Sequence, residues 1–105
     1  MALLKGTLDV LVLKALSKGP AHAFEIIRWI EDGSRGEFPI EGAALLQALH
    51  RLEERRLLSG AWAVTENNRR ARYYSLTAAG RVHLKAESQA LKSSVAALTA
   101  ILDAK

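Results

Sequence analysis

The chain has no cysteine. Disulfides, thiolate metal sites and a cysteine nucleophile are therefore excluded, and the composition agrees with a reducing, cytoplasmic setting. It also has no long apolar run. Lys or Asp interrupts every candidate before the roughly 18 uncharged apolar residues that a bilayer span needs, so a soluble protein with no membrane partner is expected. The start, Met1-Ala2-Leu3-Leu4-Lys5-Gly6, is apolar only as far as Lys5 and does not have the form of a secretory signal. Glycine-rich phosphate loops and metal-ligand spacings are missing as well. The three histidines, His22, His50 and His83, fall on different predicted elements, and no activated nucleophile can be assembled from Ser17, Ser34 or Ser59. Neither an enzyme nor a bound cofactor is expected. No linker and no internal repeat is evident.

What is present suits one small domain with an appendage. A chain of 105 residues is too short for two ordinary cores, and 50% hydrophobic with 25% charged residues supports a packed interior. Fifteen Lys and Arg against 11 Asp and Glu give a formal charge of +4, which suits an anionic partner. A surplus that small decides nothing until its distribution is known.

The hydrophobic pattern predicts four helices and a hairpin. Leu4, Leu8, Leu11, Val12, Ala15 and Leu16 recur at helical spacing, giving a first helix over 7–17 with Thr7 as N-cap and Gly19-Pro20 as the stop. Leu3, Val10 and Leu13 lie on another side, so this helix is expected to pack against two things, one of them a partner subunit. A second helix fits 21–31, with Phe24, Ile27 and Ile30 on one face and Glu25, Arg28 and Glu31 on another. Asp32-Gly33-Ser34-Arg35-Gly36 breaks it, and Pro39 fixes the chain before a third helix over 41–56. There Leu45, Ala48, Leu49 and Leu52 make an apolar face, while Ala43, Gln47, His50 and Glu54 point the other way. Strand-like runs at 61–65 and 71–77 flank the polar turn Glu66-Asn67-Asn68-Arg69-Arg70 and read as a β-hairpin.

In the last segment Leu84, Ser88, Leu91, Val95, Leu98 and Leu102 alternate at steps of four and three, the a/d spacing of a coiled-coil seam. The seam fits a helix docked on a dimer partner or one lying on its own core. The order of elements gives an α+β, mostly helical fold: a winged helix-turn-helix domain over 1–77 followed by a dimerisation helix over 78–105.

The hairpin tip concentrates the cations. Arg69, Arg70 and Arg72, beside Asn67 and Asn68, place three guanidinium groups and two amides around one turn, suited to phosphate oxygens or a minor groove, or to a merely soluble loop. On the third helix Gln47, His50 and Arg51 carry the donors and acceptors that read base edges, although an ordinary surface helix also carries such residues and Glu53 and Glu54 oppose phosphate.

Three blocks carry a family resemblance: Lys5-Gly6-Thr7-Leu8-Asp9-Val10-Leu11-Val12-Leu13-Lys14-Ala15-Leu16, then Ala48-Leu49-His50-Arg51-Leu52-Glu53, then Glu66 to Gly80 with Arg69-Arg70-Ala71-Arg72-Tyr73-Tyr74-Ser75-Leu76-Thr77. Together they resemble the PadR family of transcriptional regulators. The resemblance implies a homodimeric repressor on double-stranded DNA, with the third helix in the major groove and the wing on the backbone or minor groove. It assigns DNA contact to Ala43, Gln47, His50, Arg51, Asn67, Asn68, Arg69, Arg70, Arg72 and Tyr74. It assigns dimerisation to Leu3, Val10, Leu13, Leu84, Leu91, Val95, Leu98 and Leu102. A single terminal helix and an end at Lys105 place the chain with the family's short branch. Small aromatic effectors are also implied, for which Phe24, Trp29 and Trp62 offer stacking surfaces unless they serve packing. The sequence departs from the family pattern in two places. His22-Ala23-Phe24-Glu25-Ile26 stands where His-Gly-Tyr-Glu-Ile is usual, and Ala43-Ala44-Leu45-Leu46-Gln47-Ala48-Leu49 where Gly-Ser-Leu-Tyr-Pro-Ala-Leu is usual. The second departure removes two hydroxyls from the expected reading helix, leaving a DNA-incompetent binding or interaction module as the alternative function.

Overall fold

A computed structural model describes residues 6–105; Leu3 lies outside them. Helix α1 spans Thr7–Ala15 and closes in a 3-10 turn at Leu16–Lys18. Thr7 is the first residue of the helix and not its cap; that place is taken by Gly6, whose φ of 85° suits glycine. Helix α2, Ala23–Gly33, begins with a capping box in which the Glu25 carboxylate accepts from the His22 amide at 3.1 Å while His22 Nδ1 accepts from the Glu25 amide. It runs two residues beyond the expected end at Glu31, and Glu31 itself ties down the following loop by accepting from the Ile40 amide at 3.1 Å. Helix α3 spans Gly42–Glu54, strands β1 and β2 span Leu58–Val64 and Arg70–Leu76, and helix α4 spans Ala78–Leu102.

The core lies where α1, α2 and α3 meet the base of the hairpin. Val12, Leu13, Leu16, Ile26, Ile30, Leu45, Ala48, Leu49, Leu52, Leu57, Leu58 and Tyr74 are buried together. All four apolar positions read on the third helix belong to it. Two readings are corrected. Leu13 was expected to face a partner, yet it is wholly enclosed within its own subunit. Phe24 was expected on the inner face of α2, yet it is 75% exposed and Ile26 takes the inward place, because the face that meets the core is centred on Ile26 and Ile30.

The hairpin pairs Leu58 with Leu76 through to Val64 with Arg70 and starts three residues earlier than the expected Ala61. Its turn closes with the Asn68 amide donating to the Thr65 carbonyl at 2.9 Å, and Asn68 takes the left-handed conformation, φ 60°, that asparagine tolerates better than most residues. The segment before α2 joins the open edge of β2, with Ala21 and Tyr74 exchanging two backbone hydrogen bonds.

One junction fixes the relative placement of α3, the hairpin and α4. Helix α3 ends with the Arg56 amide donating to the Glu53 carbonyl and the Leu57 amide donating to the Leu52 carbonyl, which turns the chain straight into β1. The Leu57 carbonyl then accepts from the Thr77 amide at 3.1 Å, and the Thr77 hydroxyl donates to the Arg56 carbonyl at 2.8 Å. Thr77 Oγ1 also caps α4 by accepting from the Gly80 amide at 3.0 Å. Gly80 sits so close that a Cβ there would collide with the Leu57 carbonyl oxygen.

The two placements open to the terminal helix divide along its length. Leu84 packs against the core and Leu91 is half-buried, whereas every residue from Lys92 onward is exposed and α4 projects from the domain. Gly80→Ala is expected to cost about 2 kcal/mol or more through forced displacement of backbone, lowering the thermal midpoint by roughly 10 °C for a chain of this size. Gly42→Ala, where nothing lies within 4 Å of the added carbon, should leave it nearly unchanged.

Candidate nucleic-acid interface

The side of α3 that faces away from the core carries Ala43, Leu46, Gln47, His50 and Glu54, all exposed. Beside it rises the hairpin, and an open groove runs between them, lined by Leu46, His50, Glu53 and Glu54 from the helix and Trp62, Arg72 and Tyr74 from the strands. Helix and hairpin thus present one continuous surface. The tip residues Asn67, Asn68, Arg69 and Arg70 stand exposed at its edge.

The cations divide into free and held. Arg69 and Arg70 have no carboxylate within ion-pair distance among the described residues, and the Arg70 guanidinium rests over the Trp62 ring, 4.9 Å from its centroid. Such a contact keeps the charge available while fixing the side chain's direction. Arg72, on the same face of β2, is held. Its Nη2 donates to Glu53 Oε2 at 2.6 Å, and its guanidinium lies 5.9 Å from the centroids of both Trp62 and Tyr74. Gly60, diagonally across on β1 and paired with Tyr74, leaves the space: a Cβ there would stand 2.6 Å from Arg72 Nε. The hydrogen bond that Arg72 donates to Glu53 raises the Arg72 pKa further above its already high usual value, so the arginine does not titrate in the accessible pH range. Arg51, expected at base edges, donates instead to Asp9 of α1 at 2.8 Å.

Tyr74 is corrected from a DNA contact to a core residue: buried, it packs under Arg72 and shows almost no surface. Of the dimer positions, Val10 is half-buried against α4, Leu84 and Leu91 are partly covered by their own domain, and Val95, Leu98 and Leu102 are open. The three aromatic residues do not come together. Phe24 lines a cleft between the start of α2 and the outer face of the hairpin, Trp62 lines the groove beside α3, and Trp29 lines neither. Sequence reasoning passed over Leu46 as a surface residue and missed the two carboxylate partners, Asp9 and Glu53, that engage Arg51 and Arg72. Both carboxylates are far from their arginines in sequence, and nothing local signals the pairing. Arg28, which joins Phe24, Asn67, Arg69 and Arg70 around the α2 cleft, was also missed.

Two helices joined by the eight-residue segment 34–41, the second exposed along one side and followed by an arginine-tipped hairpin beside it, define a winged helix-turn-helix protein. A model of the transcriptional regulator PadR-like family matches residues 12–86, and the chain belongs to that family. Among solved structures, a PadR-like transcription factor from Bacteroides fragilis is 28% identical, covers 92% of this chain and 91% of its own, and superposes with a TM-score of 0.73. A PadR family transcriptional regulator from Eggerthella lenta is 26% identical over 96% of this chain and 86% of its own, with a TM-score of 0.79. Bacillus subtilis PadR in complex with operator DNA shares the fold at 17% identity over 74% of this chain and 44% of its own, with a TM-score of 0.67. No curated protein matches the chain. Among the described residues no helix is long and apolar enough to cross a membrane.

The side chains of Glu53 and Arg72 are each about one-third exposed, so solvent screens their attraction. A double-mutant cycle of Glu53→Gln and Arg72→Lys, read by urea unfolding, is expected to give a coupling of about 0.5–1 kcal/mol. In a Trp29→Phe background both single variants should also change the fluorescence of Trp62, the remaining tryptophan.

Proposed function

We propose that the chain is a sequence-specific DNA-binding transcriptional regulator that acts as a cytoplasmic homodimer, in the repressor mode that the family resemblance implies. The observation that carries this reading is the shared surface of α3 and the hairpin, with Arg69 and Arg70 free at its edge and Gln47 and His50 exposed along the helix. Helix α3 enters the major groove. The hairpin tip lies along the backbone, where its two free guanidinium groups and the amides of Asn67 and Asn68 meet phosphate. Arg72 is left out of the contacting set because Glu53 already holds it.

Dimerisation is supported by the outer part of α4. Val95, Leu98, Ile101 and Leu102 are apolar and at least half exposed, a row that water disfavours and a second copy of the helix would cover. Val10 and Leu91, flanking the same cleft between α1 and α4, continue that surface toward the domain. A two-fold axis through α4 sets two reading helices on one face of a duplex, and the fitting site is a palindrome with half-sites about one helical turn apart.

The test is binding of the purified protein to a random-sequence duplex pool over a salt series, with sequencing of the bound fraction. A palindrome should emerge, and the binding constant should fall steeply with salt, with a slope of about −0.9 per phosphate neutralised. Arg69→Ala and Arg70→Ala should each flatten that slope by about two per dimer, one contact per subunit. Absence of binding at low salt by a protein that is folded and dimeric would overturn the reading. Leu98→Glu should give monomer by light scattering with the domain still folded, since Leu98 lies beyond the part of α4 that packs on its own core.

A further inference from the structure

The reading side of α3 is short of cations. Gly42–Glu54 contains no lysine and a single arginine, Arg51, whose guanidinium is turned to Asp9 on α1 at 2.8 Å. His50 Nε2 lies 2.8 Å from Glu54 Oε1, so that side of the imidazole faces a carboxylate. Guanine presents O6 and N7 to the major groove, and its usual partner is a free arginine or lysine. The one guanidinium beside this stripe, that of Arg51, adjoins Leu46, Gln47 and His50 but is engaged by Asp9.

What stands there is apolar and amide. Leu46 is 55% exposed, Ala43 is exposed one turn before it, and Gln47 is exposed beside it. The thymine methyl is the apolar group that a base pair shows in the major groove, and adenine N6 and N7 match the donor and acceptor of a glutamine amide. From Ala43 to Gln47 the helix rises about 6 Å, close to two base-pair steps of about 3.4 Å each. The geometry points to a reading helix specific for adjacent A·T pairs, with Leu46 and Ala43 against thymine methyl groups and Gln47 on adenine. The inference rests on the DNA-binding function proposed above and names the base pairs that the surface fits.

Methyl contact can be isolated chemically, because uracil differs from thymine only in lacking that group. The palindrome selected by the full-length protein is synthesised with thymine or uracil at each half-site position. Wild type should bind more weakly by about fourfold for each contacted methyl removed, the factor expected for burial of one such group. Leu46→Ala should bind thymine and uracil duplexes alike at its position while keeping the wild-type salt slope. Its melting curve serves as a fold control, and an exposed side chain should alter it little. Gln47→Ala should lose the preference for adenine at the adjacent pair. Asp9→Asn, which weakens the hold on Arg51, should let guanine into the selected site. Half-sites dominated by guanine in the wild type, a cytosine that depends on Glu54, or equal affinity for thymine and uracil duplexes would each overturn the assignment while leaving DNA binding standing. Failure to bind any duplex at low salt would overturn the DNA-binding function and this assignment with it.

Discussion

The Leu57 carbonyl is where the parts of this protein are joined. It follows the last turn of α3, accepts the amide that begins the approach to α4, and lies against the one residue of α4 that has no side chain. Helix, hairpin and arm therefore converge on a few backbone atoms. A backbone acceptor with little space around it tolerates no sliding, and the angle between the reading helix and the arm is set there by hydrogen bonds and by hard contact, not by soft side-chain packing. The core beneath holds the domain together, but many cores of similar volume would do so. The junction is the more specific constraint.

The distribution of charge follows a similar economy. The sequence has a modest basic surplus, and counting arginines around the hairpin and α3 suggests a strongly cationic face. In the structure two of those arginines are internal fasteners, Arg51 from α3 to α1 and Arg72 from the hairpin to α3. Of the described arginines within α3 and the hairpin, those without a carboxylate partner are Arg69 and Arg70 at the tip. On the proposed reading, phosphate attraction and base reading are thereby separated in space: the tip carries unpaired guanidinium groups, and the exposed side of α3 carries apolar and amide groups. That separation fits a surface in which nonspecific affinity and sequence preference can be altered by different residues.

Much of this was legible in the sequence because it depends on local pattern. The period of apolar residues placed α3 and its inward face correctly, and the turn residues at 66–70 placed the hairpin within a few positions. The blocks around Leu8, Leu49 and Tyr73 carried the family resemblance. The errors have physical causes. Leu13 and Val10 look alike on a helix with apolar residues on nearly all sides, and only the packing of α2 and α3 decides that Leu13 is inside. Phe24 was grouped with Ile27 and Ile30 for its hydrophobicity, whereas the face of α2 that meets the core is centred on Ile26 and Ile30 and leaves Phe24 outside. The ion pairs of Arg51 and Arg72 reach 42 and 19 residues along the chain and leave no periodic trace. Tyr74 sits in a run of polar and cationic neighbours and is buried because strand alternation points it at the core.

Helix α4 is also a lever. Its 25 residues make a rod about 37 Å long, pivoted at the Gly80 seat and, in the proposed dimer, clasped near its far end. A rod of that length turned by about five degrees at the pivot moves its other end by roughly 3 Å, nearly the rise of one base pair. In the proposed dimer, the tightness of one glycine against one carbonyl would therefore set how far apart two α3 helices stand, and with it how many spacings of a palindrome the pair could straddle.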